Sequence, residues 1–273
     1  MGRFDRSVVI VTGAARGQGR AIALRLAQAG ADVGICDLGD GAVDGGTAYR
    51  LSGSKDLDAT GKDLEALGVR VCARSCDVRD SQQVDRFVAD VVAQLGSPNV
   101  LVNNAGILPE MSLAHEISDA QYENVISVNL GGVFRMSRAV VPHMIRAGGG
   151  RIVNTSSAAG LTAAPMFAVY CASKHGVIGL TKAMAAELAA HHITVNAVCP
   201  GAVLTPMVGH TAETLAEQSG ITVEEALGGF LGTHLIKEFV TPEQVAGAVA
   251  FLADPEQSAT TGIALPVDGG WTA

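Results

Sequence analysis

Short runs of apolar residues recur along the chain, and longer stretches in which apolar positions follow a helical spacing separate them. The runs predict seven β-strands, at residues 8–11, 32–36, 69–76, 100–102, 151–155, 194–199 and 263–266. The stretches between them predict helices, clearest at residues 17–29, 81–95, 119–147, 164–191 and 242–252. Strands that are apolar along their length and alternate with helices are typical of a parallel sheet covered on both faces. The pattern therefore predicts a doubly wound α/β architecture.

We expect a single domain over residues 1–273, because the pattern contains neither an internal repeat nor a linker. Two segments exceed an ordinary connection, which takes about 2–6 residues in such folds. Residues 38–54 are rich in glycine and join the second strand to its helix, and residues 204–239 lie between the sixth strand and the last helix. Long loops at the carboxyl ends of strands often cover active sites. We interpret 204–239 as a substrate-covering segment and 38–54 as an inserted loop, for which a surface or subunit-contact role stays open.

Composition and charge narrow the range of functions. The formal net charge of −8, without a basic cluster, argues against a nucleic-acid surface. No apolar run approaches the roughly 20 residues that span a membrane, and the first residues lack the apolar core of a signal peptide, so we expect a cytoplasmic protein. The five cysteines form no CxxC pair, and no histidine cluster accompanies them. We therefore predict neither a metal site nor a disulfide framework.

A glycine-rich turn at residues 12–19 (TGAARGQG) follows the first predicted strand and opens the first predicted helix. Glycines let the backbone approach a pyrophosphate, and the N-terminus of a helix supplies N–H groups and a positive dipole end. The turn predicts a dinucleotide-binding site. The cofactor contacts that we expect there are Gly13, Arg16, Gly17, Gln18 and Gly19.

Asp37 closes the second predicted strand, eighteen residues after Gly19. An acidic residue at this point can hydrogen-bond the hydroxyls of the adenosine ribose and repel a 2′-phosphate. Leu38 follows it, where a basic residue would have suggested NADP. Arg16 is the one residue that favours NADP, because its cation could reach a 2′-phosphate. On balance these residues predict NAD rather than NADP as the cofactor.

Further candidates for cofactor contact stand at the ends of the third and fourth predicted strands. Asp77, followed by Val78, is placed to reach the adenine edge. The fourth strand is followed by Asn104, Ala105 and Gly106, which would set small and amide residues against the adenosine side of the cofactor.

Tyr170 and Lys174 are four residues apart on a predicted helix, and positions so spaced share one face. A free phenol has a pKa of about 10 and is a poor base at neutral pH, but a neighbouring lysine cation favours the phenolate and lowers that pKa. A tyrosine tuned in this way can move a proton to or from an alcohol or ketone oxygen. The pair alone is a weak motif, and its weight comes from the residues around it.

Together the motifs resemble those of the short-chain dehydrogenase/reductase family, of the compact type, over nearly the whole chain. They occur in the family's order and spacing: Thr12-Gly13-x3-Gly17-x-Gly19, Asp77-Val78, Asn103-Asn104-Ala105-Gly106, Asn129, Ser157, Tyr170-x3-Lys174 and Pro200-Gly201. The resemblance implies a seven-stranded Rossmann-type sheet, a homotetramer, and hydride transfer between a nicotinamide and a carbinol carbon.

By the same resemblance, four residues carry the catalysis. Tyr170 is the general acid/base, Lys174 lowers its pKa and binds the nicotinamide ribose, and Ser157 hydrogen-bonds the substrate oxygen. Asn129 holds a water that links Lys174 to solvent. Thr205 would hold the nicotinamide carboxamide. The remaining cofactor contacts that the resemblance implies are Tyr170, Lys174, Pro200, Gly201 and Val203.

The substrate is interpreted from three apolar positions, Leu108, Ala159 and Phe167. From Tyr170 onwards the chain resembles the bacterial 3-hydroxybutyrate dehydrogenases, which hold a small carboxylate with polar side chains at these positions. A buried carboxylate without polar partners is strongly disfavoured. The chain also resembles the carveol-dehydrogenase-like, mycofactocin-associated group. That group carries a long insert after the second strand, tends to hold NAD tightly and oxidises apolar secondary alcohols.

These resemblances imply an NAD-dependent oxidoreductase that interconverts a ketone and an apolar secondary alcohol of terpenoid, steroid-like or aromatic type. An external redox acceptor is implied if the cofactor is tightly held. Leu108, Ala159 and Phe167, with Trp271, would form the substrate pocket, the alternative being ordinary core packing. Three other functions stay open: a 3-oxoacyl-thioester reductase that uses NADPH, a 3-hydroxybutyrate dehydrogenase, and a non-catalytic dinucleotide sensor.

Overall fold

A computed structural model describes residues 2–40 and 51–273 of the chain. In this part of the chain one parallel sheet contains seven strands: β1 Val8–Thr12, β2 Asp32–Asp37, β3 Val71–Ser75, β4 Val100–Asn103, β5 Gly150–Thr155, β6 Ile193–Pro200 and β7 Ala264–Val267. Their order across the sheet is β3-β2-β1-β4-β5-β6-β7. The strand order reverses between β1 and β4, and in such sheets a crevice for ligands opens at the carboxyl ends of the strands on either side of the reversal. The predicted doubly wound fold is confirmed.

Helices cover both faces of the sheet. They are α1 Gly17–Gln28, α2 Ser54–Glu65, α3 Ser81–Gln94, α4 Asp119–Ile126, α5 Gly132–Ala147, α6 Ala168–Leu188, α7 Pro206–Ser219, α8 Val223–Phe230 and α9 Pro242–Ala253. The stretch predicted as one helix at 119–147 is two helices joined by a π-helical segment, Ser127–Gly131. The helix predicted from residue 164 begins only at Ala168, because Met166 has a left-handed backbone (φ 67°) that an α-helix does not accommodate.

Two apolar cores lie on opposite faces of the sheet, because successive residues of a strand point to opposite sides. Val9 and Val11 of β1 pack with α1 and α9 on one face, through residues such as Leu26 and Leu252. Val8 and Ile10 pack on the other face with α3, α5 and the end of α6. With both faces covered, the edge formed by the strand ends is where a site can open.

A buried polar ladder fixes α6 against the sheet below that edge. The side-chain amide of Asn103 in β4 donates to Asn154 Oδ1 in β5 (2.8 Å) and to Ser137 Oγ in α5 (3.0 Å). The amide of Asn154 donates in turn to Thr181 Oγ1 in α6, at 2.9 Å. All four side chains are buried, where such bonds are strong and their loss is costly. The ladder therefore sets the position of the helix that carries Tyr170 and Lys174.

The structure describes only part of the segment 38–54 but all of the segment 204–239. Within 38–54, residues 41–50 lie outside the described part of the chain, so the role of the inserted loop stays a prediction. The segment 204–239 contains α7 and α8, which pack on each other through Ala212, Ala216 and Ala226. Among the residues that the structure describes, no helix is long and apolar enough to cross a membrane.

Candidate active site

Two adjoining cavities open at the carboxyl ends of β1, β4, β5 and β6. The first, here called the glycine-loop groove, runs from the β1–α1 turn past the ends of β2 and β3. The second, the tyrosine cavity, contains Ser157, Tyr170 and Lys174. The two share lining residues at their junction: Gln18, Asn104, Gly106, Ile107, Thr205 and Met207.

The predicted cofactor contacts divide between these cavities. Those in the groove are Gly13, Arg16, Gly17, Gln18, Gly19, Asp37, Leu38, Asp77, Val78, Asn104, Ala105, Gly106 and Thr205. Those in the tyrosine cavity are Tyr170, Lys174, Pro200, Gly201 and Val203, with Gln18, Asn104, Gly106 and Thr205 shared. The structure thus brings the predicted set together as one continuous lining.

The β1–α1 turn is held by direct bonds to the end of β4. Thr12 Oγ1 accepts hydrogen bonds from the backbone N–H groups of Asn104 and Ala105, both at 3.0 Å. The Asn104 side-chain amide donates to the carbonyls of Thr12 and Gly13, both at 3.1 Å. A Cβ at Gly13 would lie 2.8 Å from the Ala105 Cα, so glycine is required for this approach. The Asn104 amide fastens the turn, and the same residue lines the groove, so its expected contact with the adenosine side of the cofactor stays a prediction.

Asp37 is fixed at the far end of the turn. Its Oδ2 accepts from the Ala15 N–H at 2.9 Å, and its Oδ1 accepts from the Leu38 N–H and the Ser52 hydroxyl, both at 2.8 Å. Donors on the protein hold the carboxylate while it still lines the groove. A carboxylate held here suits a ligand with hydroxyl donors and opposes one with a phosphate at the same point.

The end of β3 carries an ion pair that the sequence analysis missed. Arg79 follows Asp77 by two residues, and its Nη2 lies 2.7 Å from Asp77 Oδ2. Its Nη1 donates to Asn124 Oδ1 of α4 at 2.8 Å. The separation of Asp77 and Arg79 in the sequence did not predict this ion pair. Two side chains so spaced come into contact here only because the chain turns after β3.

Tyr170 and Lys174 meet Ser157 as predicted. The Lys174 ammonium lies 5.6 Å from the centre of the Tyr170 ring and donates to the Thr155 carbonyl at 2.9 Å. The Ser157 hydroxyl hydrogen-bonds the Tyr170 phenol, and it also accepts from the Ala159 N–H at 3.1 Å. All three side chains line the tyrosine cavity. A substrate oxygen at this point would have a phenol and a hydroxyl within reach.

Asn129 is buried one layer behind this trio, in the π-helical segment. Its Oδ1 accepts from the Ile107 N–H (2.8 Å), and its amide donates to the Ile107 carbonyl (2.9 Å) and to Ser173 Oγ (3.2 Å). A Cβ at Gly106 would lie 3.3 Å from Asn129 Oδ1 and 3.4 Å from Lys174 Nζ, so both side chains approach the same small residue. Single π-turns often occur at functional sites. The role of Asn129 in holding a water stays a prediction.

In the protein alone the pKa of Tyr170 lies above its ordinary value, so its lowering by Lys174 stays a prediction. Burial raises that pKa to about 12, and the hydrogen bond from Ser157 only partly opposes the rise. Burial likewise lowers the pKa of Lys174 to about 8. Both shifts have the same cause, because desolvation favours the neutral form of each group. The sequence could not show this, since burial depends on the tertiary fold.

Apolar side chains form a wall of the tyrosine cavity. Leu108, Ala159 and Phe167, the three positions singled out from the sequence, line the tyrosine cavity together with Trp271. The segment 204–239 completes the wall with residues that we did not name in advance: Met207, Val208, Thr211 and Phe230. The segment therefore contributes to the cavity lining, and its interpretation as a cover for the site stays a prediction.

Gln18 stands at the junction with an unused acceptor. Among the described residues its Oε1 is buried and has no hydrogen-bond partner. Buried acceptors are normally paired, so an orphaned one suggests a site for a ligand donor. Among these residues no group of three or more His, Cys, Asp or Glu side chains could hold a metal ion.

The buried lysine predicts a pH dependence of stability. Since the folded-state pKa of Lys174 is about 8 and its ordinary value is 10.5, the unfolded chain binds more protons between these values, and stability rises with pH. From pH 7 to 9.5 the free energy of unfolding should rise by about 2 kcal/mol relative to Lys174→Met. Tyr170 acts in the opposite direction, but only above about pH 10. Urea denaturation of both proteins at the two pH values measures the difference, and equal pH dependence would contradict it.

Comparison with known proteins agrees with this geometry. The family model described as short chain dehydrogenase matches residues 7–216. An uncharacterized NAD-dependent oxidoreductase of Mycobacterium tuberculosis is 42% identical over 273 residues, covering 98% of this chain and 97% of the relative. A putative ketoacyl reductase of Streptomyces coelicolor is 40% identical over 272 residues, covering 99% and 98%. The crystal structure of carveol dehydrogenase from Mycobacterium avium in complex with NAD superposes with a TM-score of 0.93 at 38% identity, covering 98% of each chain.

Proposed function

The chain belongs to the short-chain dehydrogenase family, and we propose that it uses NAD to interconvert a secondary alcohol and a ketone. One observation carries this proposal. Ser157, Tyr170 and Lys174 share a cavity that joins the glycine-loop groove directly, with Gln18, Gly106 and Thr205 lining both. A nicotinamide at that junction would lie next to the substrate carbon, where hydride transfer requires it.

The residues of the groove fit a dinucleotide cofactor. Gly13, Gly17 and Gly19 of the turn line the groove, and α1 begins within the turn at Gly17, so its N-terminus faces a pyrophosphate bound there. The unpaired Gln18 Oε1 and the side chain of Thr205 lie at the junction of the two cavities. The carboxamide of a nicotinamide has donors and acceptors that could pair with them. When bound, NAD supplies the hydride acceptor, and the protein contributes orientation and proton transfer.

Tyr170 moves the proton in this mechanism. In the direction of alcohol oxidation its phenolate oxygen takes the hydroxyl proton, while the Ser157 hydroxyl holds the substrate oxygen. Burial keeps the phenol neutral in the protein alone, with a pKa of about 12. A positive charge beside a phenol favours the phenolate. The oxidised nicotinamide and the ammonium of Lys174 would supply that charge, so binding of the oxidised cofactor and activation of Tyr170 are linked.

Asp37 supports NAD over NADP. Its carboxylate is held by the Ala15 and Leu38 N–H groups at the place where the adenosine ribose would lie. A 2′-phosphate there would face a fixed negative charge.

The related Streptomyces protein is a putative ketoacyl reductase, so reduction of a 3-oxoacyl thioester is the second candidate function. A preference for NADPH over NADH in a binding titration would favour it.

The apolar wall supports a substrate without a charged group. Leu108, Ala159 and Phe167 face the cavity at positions where a carboxylate-binding relative would have polar ligands. Burial of a carboxylate against them would be costly. One relative of known structure is a carveol dehydrogenase. We therefore propose an apolar secondary alcohol or ketone of terpenoid, steroid-like or aromatic type.

Substitution of the phenol tests the reaction directly. Tyr170→Phe should lower kcat about 10²–10⁴-fold on any secondary alcohol that the enzyme oxidises, because it removes the general base. Binding of NADH, followed by fluorescence, should change less than about threefold. Tyr122→Phe is the matched control, since Tyr122 lies on the exposed side of α4. Unchanged turnover in Tyr170→Phe would refute the mechanism, and no turnover of any alcohol or ketone by the native protein would favour a sensor.

Introduction of a cation into the wall tests the substrate class. Phe167→Lys should lower kcat/KM for apolar secondary alcohols about tenfold or more, because an ammonium in this wall costs desolvation when the substrate binds. The same change should improve turnover of 3-hydroxybutyrate, whose carboxylate gains a partner. Leu161→Lys makes the equivalent change at a residue that does not line the tyrosine cavity. Equal effects of the two substitutions on kcat/KM would contradict the assignment of the wall.

A further inference from the structure

A second cavity lies beside the tyrosine cavity, near the last residues of the sequence, and the proposed reaction assigns it no role. We call it the outer cavity. Together with Trp271 it is lined by Leu161, Thr162, Ala264, Pro266, Thr272 and Ala273. Among the residues that the structure describes, Trp271 alone lines both cavities. This residue therefore lies at the boundary between them.

The boundary between the two cavities is thin. Ala159 lines the tyrosine cavity, and Leu161, two residues later, lines the outer cavity. Pro200 of β6 lines the tyrosine cavity, while Pro266 of β7, which pairs with Cys199, lines the outer cavity. Both crossings take no more than two residues. The cavities are therefore close enough for one aromatic side chain to separate them.

Hydrogen bonds fix the turn that carries Trp271. The buried carboxylate of Asp268 accepts from the Gly270 N–H through Oδ1 at 2.9 Å. Its Oδ2 accepts from the Thr272 N–H at 3.0 Å and from the Thr272 hydroxyl at 2.6 Å. The Trp271 N–H donates to the Asp268 carbonyl at 3.2 Å. The backbone is therefore held on both sides of Trp271.

His234, a fully buried residue of the segment 204–239, packs beside the indole. The two ring centres are 6.1 Å apart, and the ring planes are tilted by 30°. The imidazole Nε2 accepts from the Ala202 N–H at 3.3 Å. Gly269 has a left-handed backbone (φ 61°), and a Cβ there would lie 3.0 Å from His234 Nδ1, so glycine lets the turn approach the ring. The imidazole thus limits the movement of the indole.

A fixed side chain at the end of an apolar cavity limits the length of a substrate. Each methylene buried in the cavity should raise kcat/KM up to about fourfold. A methylene that meets a fixed side chain is instead rejected, by about tenfold or more. Trp271 is half-buried and held in place, so it can act as such a stop.

We propose that Trp271 is the specificity-determining residue that sets the length limit of the substrate, because its indole closes the tyrosine cavity against the outer cavity. The inference rests on the proposed function, since it concerns the apolar alcohol oxidised at Tyr170. Removal of the indole should join the two cavities and let a longer apolar chain extend into the outer one.

A series of cyclohexanols with a linear alkyl chain opposite the carbinol carbon, from methyl to octyl, tests the limit. For the native protein kcat/KM should first rise with chain length and then fall about tenfold or more at one added methylene. In Trp271→Ala this fall should be absent, so the ratio of kcat/KM for the octyl and methyl members should rise about tenfold or more.

Two variants serve as controls. Trp271→Phe keeps an aromatic ring at the boundary, so the fall with chain length should remain. Leu161→Ala removes a side chain that lines the outer cavity but not the tyrosine cavity, and it should leave the length profile of the native protein unchanged.

The fluorescence of the native protein gives a second readout that needs neither turnover nor a variant. Trp271 is the single tryptophan of the sequence, so tryptophan emission reports this residue alone. Titration of the protein–NAD complex with the corresponding ketones should change the emission saturably for chains that reach the indole. Cyclohexanone itself, which lacks the chain, should change it less.

Three results would overturn the inference. They are a native kcat/KM that does not fall with chain length, a fall that persists in Trp271→Ala, and an emission that no ketone of the series changes. The first two would leave the proposed reaction intact. If the native protein turned over no member of the series, the proposed reaction would fail instead, and the fluorescence titration would decide the position of Trp271 by itself.

Discussion

The hydrogen bonds between the β1–α1 turn and the end of β4 are the constraint on which both halves of the site depend. Thr12 and Gly13 accept four of them from Asn104 and Ala105, and Gly13 permits the approach because a Cβ there would collide with Ala105. The turn forms the floor of the groove, and the end of β4 leads into the tyrosine cavity. Because the two are fastened together, a ligand held by the turn has a fixed position relative to Tyr170.

The pKa values of Tyr170 and Lys174 follow from the burial of both side chains. Burial favours neutral Tyr170 and neutral Lys174, and so the protein alone does not prepare a phenolate. The ammonium of Lys174 donates to the Thr155 carbonyl. Below about pH 8 Lys174 is protonated in the folded protein, and burial of this charge lowers the folding stability. Such a cost is typical of groups kept for chemistry rather than for packing. In the mechanism proposed here, a bound cationic ring completes the charge balance, which couples cofactor binding to proton transfer.

Much of the fold could be predicted from the sequence, because apolar strands and helical periods are local patterns. The glycine turn, Asp37 and the Tyr170 helix also lie at recognisable spacings. Three features could not be predicted. The Asn104 amide points back at the turn because its strand ends beside β1, and Asp77 is paired with Arg79 because the turn after β3 folds the arginine onto it. The shifted pKa of Tyr170 is a property of burial, which no spacing reveals.

The central claim is that hydride passes between substrate and nicotinamide at the junction of the two cavities. Its most direct test is oxidation of an apolar secondary alcohol that carries deuterium on the carbinol carbon, with NAD present and the reduced cofactor isolated for mass spectrometry. The account predicts one deuterium on the nicotinamide ring of each reduced cofactor formed, without exchange with water. Deuterium found in the solvent, or a ketone formed without labelled cofactor, would contradict it.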